Sequence, residues 1–389
     1  LKASAPLKND VIFLFTDGEE MGLLGAEAFV AEHPSVRDVG LVLNFEARGT
    51  CGPVYMFETS ERNGALVAEF AKAAPRPYAS SLAYTVYKLL PNDTDLTVFK
   101  GAGMAGLNFA YVGCSANYHR PADSVSNLDA DSLRHMGSYA PALARHFADG
   151  PLDFSGAGRA VYFDLFGLAL VHYSQTWVTP LAVGAALLFA LVLFYGFRKK
   201  LLTWRGTALG FFGLLAAAAC ALALSAAFKS LTAGARGRVE LLALALAVLT
   251  LLVAVGVYAL LLRRAGVASL CAGALLWWLV PAVGVSRDFP GASYLYLWPL
   301  LCGTLALALL LWAEARRLHP FALLSALCLL LLPPVALLAR TADGLVQALG
   351  LRMPFVLVAL VLTGSALLVP FLTFAPRARR AHTPPHTDS

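Results

Sequence analysis

Hydrophobic and polar positions follow two different patterns along the chain. Up to about residue 150, short apolar runs alternate with amphipathic stretches, whereas from about residue 179 the apolar runs lengthen to roughly 20 residues. Nearly continuous apolar strands between helices are typical of an α/β sheet covered on both faces. An apolar run of about 20 residues has the length that spans a bilayer. The pattern therefore predicts a globular α/β part followed by an all-α, multi-span membrane part.

The first part contains candidate strands and helices in alternation. We expect strands at 11–16, 39–45, 53–57, 83–88 and 105–111, and helices at 20–32, 62–74, 94–101 and 131–148. In the last helix Leu133, Met136 and Ala140 recur at spacings of three and four residues, which is the period of an amphipathic helix. These elements predict a mixed, mostly parallel sheet with helices on both faces.

The second part contains about seven candidate membrane spans. They lie near 179–197, 207–228, 241–262, 266–285, 293–313, 320–339 and 354–374. Ionisable residues are nearly absent from these spans, and Glu240 and Glu314 lie only at their edges. Transporters usually place ionisable residues within their spans, so this composition argues against transport.

Basic residues flank the spans unequally. One side holds eleven, namely Arg198, Lys199, Lys200, Arg205, Arg263, Arg264, Arg316, Arg317, Arg377, Arg379 and Arg380. The other side holds six, namely Lys229, Arg236, Arg238, Arg287, Arg340 and Arg352. Because cytoplasmic loops carry the excess of Lys and Arg, the side with eleven is expected to be cytoplasmic. The α/β part is then extracytoplasmic, in the periplasm, the exterior or an organelle lumen.

Composition supports this division. Hydrophobic residues make up 58% of the 389 residues and charged residues only 14%, which is too apolar for an ordinary soluble protein. Residues 1–150 hold 12 Lys/Arg and 17 Asp/Glu, whereas the remainder holds 18 and 7. The overall charge of +6 is the sum of an acidic and a basic half and gives no reason to expect nucleic acid as a partner. We expect a globular α/β domain at 1–150, a junction or interfacial segment at 151–178, a transmembrane domain at 179–375 and a polar cytoplasmic tail at 376–389.

Two segments leave alternatives open. The junction is apolar but carries Asp164 and His172, so it either lies at the membrane interface or starts a helix. None of the six cysteines has CxxC spacing, so a cysteine-type zinc site is not expected. A disulfide between Cys51 and Cys114 is conceivable outside the cytosol.

Carboxylates and one histidine follow three of the candidate strands. Glu19 and Glu20 follow strand 11–16, Glu46 ends strand 39–45, and His119 follows strand 105–111. Ligands of open α/β sheets bind beyond the carboxyl ends of the strands. Carboxylate oxygens and an imidazole nitrogen form a plausible ligand set for zinc. One of two adjacent carboxylates is then free to take a proton from water.

Each of these residues also has an ordinary structural explanation. A Glu-Glu pair at a helix start is favourable to the helix dipole, and Asp93 and Asp95 suit a helix N-cap and first turn. Arg48 either neutralises the acidic cluster or contacts substrate. We assign the histidines that fall in a turn or on the amphipathic helix to the surface, namely His33, His135 and His146.

Four motifs together resemble a known family. "FTDGEEMGLLGA", "NFEARG", "NDTDLTVF" and "YHRPADS", in this order and spacing, resemble the co-catalytic zinc aminopeptidases, family twenty-eight of the metallopeptidases. A globular half followed by many spans resembles its membrane branch, the endoplasmic reticulum metallopeptidase and vacuolar membrane protease type. The resemblance covers about residues 1–178 well and the membrane half only by architecture.

The resemblance implies a role for each residue. Glu19 is expected to be the general base, Glu20 and His119 to bind one zinc ion, and Glu46, where many soluble members have Asp, to bind the other. Tyr118 is expected to stabilise the tetrahedral intermediate, since a phenol can hydrogen-bond a developing oxyanion. The family's remaining ligands, a His and a bridging Asp, would precede strand 11–16. We therefore expect the chain to be the C-terminal part of a longer protein whose complete site holds two zinc ions.

These observations leave three hypotheses. The first is a membrane-anchored zinc exopeptidase of the aminopeptidase type that acts on peptides and contacts membrane lipid. The second is a non-catalytic or degenerate peptidase-like domain used for binding or scaffolding. The third is a transporter with an appended domain. The oligomeric state does not follow from the sequence.

Overall fold

The structure is a computed structural model that describes residues 5–114, 116–154, 156–232, 239–351 and 353–375. The first part contains α1 (Leu24–Glu32), β1 (Val42–Ala47), β2 (Cys51–Thr59), α2 (Gly64–Ala73), α3 (Ser81–Tyr87), α4 (Asp95–Gly101), β3 (Gly106–Gly113), α5 (Ala130–Ala148), β4 (Ala160–Asp164) and β5 (Leu170–Ser174). The predicted polar tail at 376–389 lies outside the described residues. The boundaries predicted for the domains remain a prediction.

The first part is built on a small mixed sheet. Its strands lie in the order β1-β3-β2, with β1 parallel and β2 antiparallel to β3. The predicted mixed α/β fold is confirmed, although this three-stranded sheet has one parallel and one antiparallel pairing rather than mostly parallel strands. In the register of β1 and β3, Glu46 lies opposite Ala110, so both strands carry their carboxyl ends to the same edge.

The two faces of this sheet differ in polarity. Leu107 and Phe109 of β3 are fully buried in an apolar cluster with Phe70 of α2 and Tyr139 of α5. Because side chains alternate across a strand, the intervening Asn108 lies on the other face, where the neighbouring strands also carry polar side chains. Helices α1 and α4 cover that face with a second, smaller apolar cluster.

Two of the predicted strands are wrong. Segment 83–88 lies in helix α3, because the Ser80 side chain caps the helix by accepting a hydrogen bond from the Ala83 N–H. Segment 11–16 forms no strand in the described residues. Its backbone pairs with no other strand there, and Phe13 and Phe15 are exposed. Without a neighbouring strand, the backbone N–H and C=O groups of an extended segment have no strand with which to form hydrogen bonds.

The junction forms a β-hairpin rather than the beginning of a helix. Strands β4 and β5 pair antiparallel, and Asp164 lies opposite Leu170 beside the turn. The first membrane helix begins at Val178, only after the hairpin has ended.

The second part consists of long apolar helices. They are α6 (Val178–Arg198), α7 (Trp204–Thr232), α8 (Val239–Leu261), α9 (Val267–Asp288), α10 (Tyr294–Arg316), α11 (Pro320–Leu349) and α12 (Pro354–Ser365), the last extended by a 3-10 helix over Ala366–Phe374. In the described residues seven helices are long and apolar enough to span a membrane, which confirms the predicted number.

Helix α11 is longer than the predicted span. It continues to Leu349, whereas the sequence pattern ended the span at 339. Arg340, counted above among the loop residues, therefore lies within the helix together with Asp343. Arg340 is bonded there to Asp164 and Tyr55 of the first part of the chain, so this polar residue is accommodated within a buried stretch of the helix.

Candidate metal centre and catalytic residues

Glu19 and Glu20 lie in a turn that precedes helix α1. Gly18 and Gly22 flank this turn with φ angles of 68° and 118°, which favour glycine. The Leu23 N–H donates to the Glu19 carbonyl at 2.9 Å. The helix begins only at Leu24, and a helix dipole acts within its first turn. The alternative that the two carboxylates merely favour the helix dipole thus loses its support.

The ends of β1 and β3 bring the predicted residues to one edge of the sheet. Strand β1 delivers Glu46, and β3 leads into the loop that carries Tyr118 and His119. His119 Nε2 lies 2.8 Å from Glu20 Oε1, so residues 99 positions apart in sequence are in direct contact.

Burial and mutual repulsion set the electrostatics of the carboxylates. Partial burial raises the pKa of Glu19, and the charges of Glu20 and Asp95 raise it further. Burial also raises the pKa of Glu46, against the hydrogen bond from Asn44, and the Glu19 charge adds to the rise. A cluster of carboxylates that repel one another favours either protonation or a bound cation.

Tyr118 lies against the same cluster. Its ring stacks on the His119 ring with centroids 3.8 Å apart, and the Arg48 guanidinium carbon is 5.6 Å from its centroid. Burial raises the pKa of the Tyr118 phenol, and the Glu20 charge raises it further. The phenol therefore keeps its proton at neutral pH and is available as a hydrogen-bond donor.

Sequence reasoning did not assign two residues, Asp95 and Asn44, to this cluster. Asp95 lies at the start of α4, as expected for a first-turn acid, but it is buried and accepts a hydrogen bond from Thr16 Oγ1 at 2.5 Å. Its other oxygen, Oδ1, is buried with no hydrogen-bond partner in the described residues. Asn44 donates to Glu46 Oε1 at 2.9 Å. Its position two residues before Glu46, on the same face of β1, was the available signal.

A hydrogen-bonded series continues from Glu46 across the sheet. Asn44 also donates to Asn108 Oδ1 at 3.1 Å, and Asn108 donates to Glu58 Oε2 at 2.9 Å. Glu58 is buried and pairs with Lys100 at 2.6 Å. The candidate ligand Glu46 is therefore held by a continuous polar network that ends in a largely buried ion pair.

The donor atoms of Glu20, Glu46 and His119 are of the types that bind zinc, but the three side chains are not close enough together to form a closed site. Glu20, Glu46 and His119 supply the oxygen and nitrogen donors that zinc accepts. Two donors about 2.1 Å from a tetrahedral ion lie roughly 3.4 Å apart, so a small widening of the Glu20–His119 contact would admit one ion. Among the described residues, however, no three His, Cys, Asp or Glu residues are grouped closely enough to hold a metal ion. The roles assigned above therefore remain predictions.

A disulfide borders the loop that carries Tyr118 and His119. Cys51 at the start of β2 is bonded to Cys114, which directly follows β3. The pairing that the sequence made conceivable is formed in the structure. It joins the first residue of this loop to the sheet.

One histidine assigned to the surface is buried. His135 on α5 is 4% exposed, its Nδ1 accepts from the Val54 N–H at 3.0 Å, and its Nε2 lies 3.2 Å from the Arg76 carbonyl. The assignment failed because the helix turns this position toward β2 rather than toward solvent. Burial lowers the pKa of His135, so the neutral ring with its proton on Nε2 fits both partners.

Known proteins are similar to the chain mainly in its first half. Residues 1–144 match the model of Peptidase family M28. The putative endoplasmic reticulum metallopeptidase 1-A of Caenorhabditis elegans is 31% identical over 176 residues, which are 43% of this chain and 20% of the relative. Endoplasmic reticulum metallopeptidase 1 of Mus musculus is 30% identical over 208 residues, or 51% and 22%. The vacuolar membrane protease of Candida dubliniensis is 32% identical over 163 residues, or 41% and 17%. No solved structure matches the chain at a significant level.

The chain spans about a fifth of the length of the curated relatives that it matches. The matched region contains the turn with Glu19 and Glu20, the end of β1 and the loop with Tyr118 and His119. These are the segments whose motifs indicated the family, whereas the many spans that follow indicated its membrane branch. Residues 1–144 therefore form a Peptidase family M28 domain, which is followed by a helical region with seven long apolar helices.

Proposed function

We propose that the protein is a membrane-anchored, zinc-dependent exopeptidase that removes N-terminal residues from peptides. The observation that carries this proposal is the contact of Glu20 with His119 at 2.8 Å, near enough to Glu46 at the carboxyl end of β1 for the Glu19 and Glu20 charges to act on it. The names of the relatives, which are metallopeptidases and membrane proteases, support the same chemistry. We further propose that the peptidase domain is extracytoplasmic.

Each side chain has a role that follows from its surroundings. Glu20 and His119 would hold one zinc ion and Glu46 a second, and zinc when bound supplies Lewis-acid chemistry. Glu19, whose pKa is raised by burial and by the Glu20 charge, is a stronger base than an ordinary glutamate and suits the role of general base. Tyr118 keeps its proton and donates a hydrogen bond to the oxyanion that develops on the substrate carbonyl.

The test separates metal binding from catalysis. The detergent-solubilised chain is loaded with zinc, its metal content is measured, and hydrolysis of aminoacyl and peptide substrates is followed. We expect Glu20→Ala to lose zinc, and Glu19→Gln to retain zinc but lose at least about 100-fold in turnover, since general bases typically contribute that much. Glu32→Gln, which alters an exposed carboxylate of α1, is the matched control and should change neither quantity.

A second candidate function is a non-catalytic, peptidase-like binding domain. It is favoured by the lack of a closed three-ligand group among the described residues. Zinc binding without hydrolysis of any tested peptide would support this candidate. A chain that binds no zinc and hydrolyses nothing would contradict the exopeptidase proposal.

A further inference from the structure

The β4–β5 hairpin belongs to two apolar cores at once. Tyr162 is fully buried in the core of the peptidase domain, beside Phe109 of the sheet. Its neighbours Val161 and Phe163, which point to the opposite face of the strand, are buried in the core of the membrane helices. The Phe163 ring stacks on Tyr294 of α10 with centroids 4.7 Å apart. The peptidase domain and the membrane helices are therefore packed against each other through a shared layer.

A buried arginine of α11 is bonded to the peptidase domain. The Arg340 side chain is 5% exposed, and its Nε donates to Asp164 Oδ1 of β4 at 2.8 Å. A terminal nitrogen donates to the Tyr55 hydroxyl of β2, and another donates to Asp343 at 2.9 Å. The guanidinium carbon also lies 4.9 Å from the ring centroids of both Tyr55 and Tyr78. Three of these four neighbours, Asp164, Tyr55 and Tyr78, come from the other half of the chain.

A second contact between the peptidase domain and the membrane helices involves the segment between α9 and α10. Ser81 of α3 donates its hydroxyl proton to the Gly291 carbonyl at 2.6 Å and accepts a hydrogen bond from the Tyr162 N–H at 3.0 Å. A Cβ at position 291 would lie 2.7 Å from Thr85 Oγ1, so the close approach of the two halves requires glycine there. Two separate contacts fix the orientation of the domain, whereas one would leave it free to rotate.

The contact that Arg340 makes with Tyr55 is connected to the candidate metal centre through strand β2. Tyr55 lies on β2, and further along α11 Gln347 lies against Gly52 of the same strand, since a Cβ at Gly52 would be 3.3 Å from Gln347 Oε1. Residue 51 is the cysteine bonded to Cys114, where the loop with Tyr118 and His119 begins. Helix α11 therefore supports the strand to which this loop is attached.

We propose that the C-terminal end of α11 is a structural part of the peptidase domain. Arg340 is the residue through which this end of the helix binds the face formed by β2 and β4. The membrane half is then the docking partner of the peptidase fold rather than a tether. A flexible tether would not need a buried cation that meets a buried carboxylate. Removal of one member of such a pair leaves an unpaired charge in an apolar layer, which is strongly destabilising.

The test is a double-mutant cycle on the full chain in detergent. Arg340→Met and Asp164→Leu should each lower the midpoint of thermal unfolding by on the order of 10 °C, and the double variant should recover most of that loss because neither charge remains. Arg340→Lys should restore only part of the midpoint that Arg340→Met loses, since an ammonium group cannot reproduce the several hydrogen bonds of the planar guanidinium. Arg287→Met, at the 88% exposed Arg287 of α9, is the matched control and should shift the midpoint by no more than about 2 °C.

Two outcomes would overturn the proposal. One is a midpoint that changes in neither single variant by more than the control. The other is a double variant whose loss equals the sum of the two single losses. If the single variants do not accumulate as folded protein, recovery of folded protein in the double variant supports the proposal and failure of the double variant overturns it. These readouts measure folding, so their outcome is independent of whether the chain hydrolyses peptides.

Discussion

Asn44 shows how a single uncharged residue can set the geometry of a charged site. It directs one amide proton to Glu46 and the other to Asn108, so its orientation is fixed from two sides. The Glu46 carboxylate is consequently held by a donor that is itself held by the buried Asn108–Glu58 contact. Partners of this kind orient metal ligands without touching the metal.

We therefore predict that Asn44→Ala weakens zinc binding without removing any ligand. The expected loss is about 10–100-fold in affinity, the range typical for partners of metal ligands. Competition with a chelator at fixed free zinc measures it. The control is Asn127→Ala at an exposed asparagine that contacts only a local backbone carbonyl, and it should leave the affinity unchanged. Equal affinities for Asn44→Ala and the unaltered chain would show that the network does not position Glu46.

His135 makes the stability of the peptidase domain depend on pH. Its pKa lies below the ordinary 6.5 in the folded chain because of burial, so the unfolded chain binds a proton more readily. The stability that the neutral ring contributes is complete above about pH 6.5 and is lost as the pH falls through the folded-state pKa. Protonation would also place a hydrogen on Nδ1, where the Val54 N–H already points.

We expect the free energy of unfolding to fall by at most about 1.4 kcal/mol per pH unit because of His135 as the pH falls from 6.5 toward 5. His135→Gln should flatten that dependence, since an amide can still accept from Val54 but does not titrate. Unfolding midpoints measured between pH 5 and 8 test this. His172→Gln, at an exposed histidine of β5, should retain the slope of the unaltered chain.

At the scale of elements, the spacing of apolar residues predicted those elements whose type depends on residues close together in the sequence. Helix α5 was predicted almost to its ends because Leu133, Met136 and Ala140 keep a helical period. Segment 83–88 was mistaken for a strand because a short run such as Tyr84-Thr85-Val86 alternates like a strand, and only the Ser80 cap distinguishes the helix.

Other elements depend on partners that are distant in sequence. Strand β4 is buried on both faces, so it has no polar face by which a pattern could identify it. Glu46 and His119 were chosen as candidate ligands because they end or follow β1 and β3, whereas Asn44 and Asp95 are linked to the cluster by hydrogen bonds and charges across the sheet, which leave no local pattern. The contact between Arg340 and Asp164 joins residues 176 positions apart and carries no local signal.

The disulfide gives a prediction about an element, the loop that begins at Cys114. The bond closes a segment with a sequence separation of 63, so its removal enlarges the freedom of the unfolded chain. We expect Cys51→Ser to lower the free energy of unfolding by roughly 2–4 kcal/mol and to make the chain more sensitive to protease near residue 114. Cys328→Ser, at an exposed free cysteine of α11, should do neither. An unchanged stability in Cys51→Ser would mean that the bond is not formed in solution.

At the scale of the whole molecule, the contacts show at which end of the helices the peptidase domain lies. The peptidase domain meets the segment between α9 and α10 and the C-terminal end of α11. Counted from the start of α6, both positions fall on the side from which the chain first enters the membrane. That side carries the six basic residues, whereas eleven flank the spans on the other side.

This arrangement predicts which substituted cysteines a membrane-impermeant maleimide will label in intact cells or sealed vesicles of defined orientation. Ser126→Cys, on an exposed loop of the peptidase domain, should be labelled from the extracytoplasmic side. His319→Cys, between α10 and α11, should be labelled only after the membrane is permeabilised. The reverse pattern would place the peptidase domain in the cytoplasm and contradict the charge-based orientation.

The shared hairpin also has a consequence for the time course of biosynthesis. Asp164 emerges from the ribosome 176 residues before Arg340, which at about 5–20 residues per second is a delay of roughly 10–35 s. During that interval the membrane helices against which one face of the hairpin packs are still being made, and the Asp164 carboxylate has no arginine to pair with. The peptidase domain is therefore completed only after its sixth membrane helix has been inserted, although it is synthesised first.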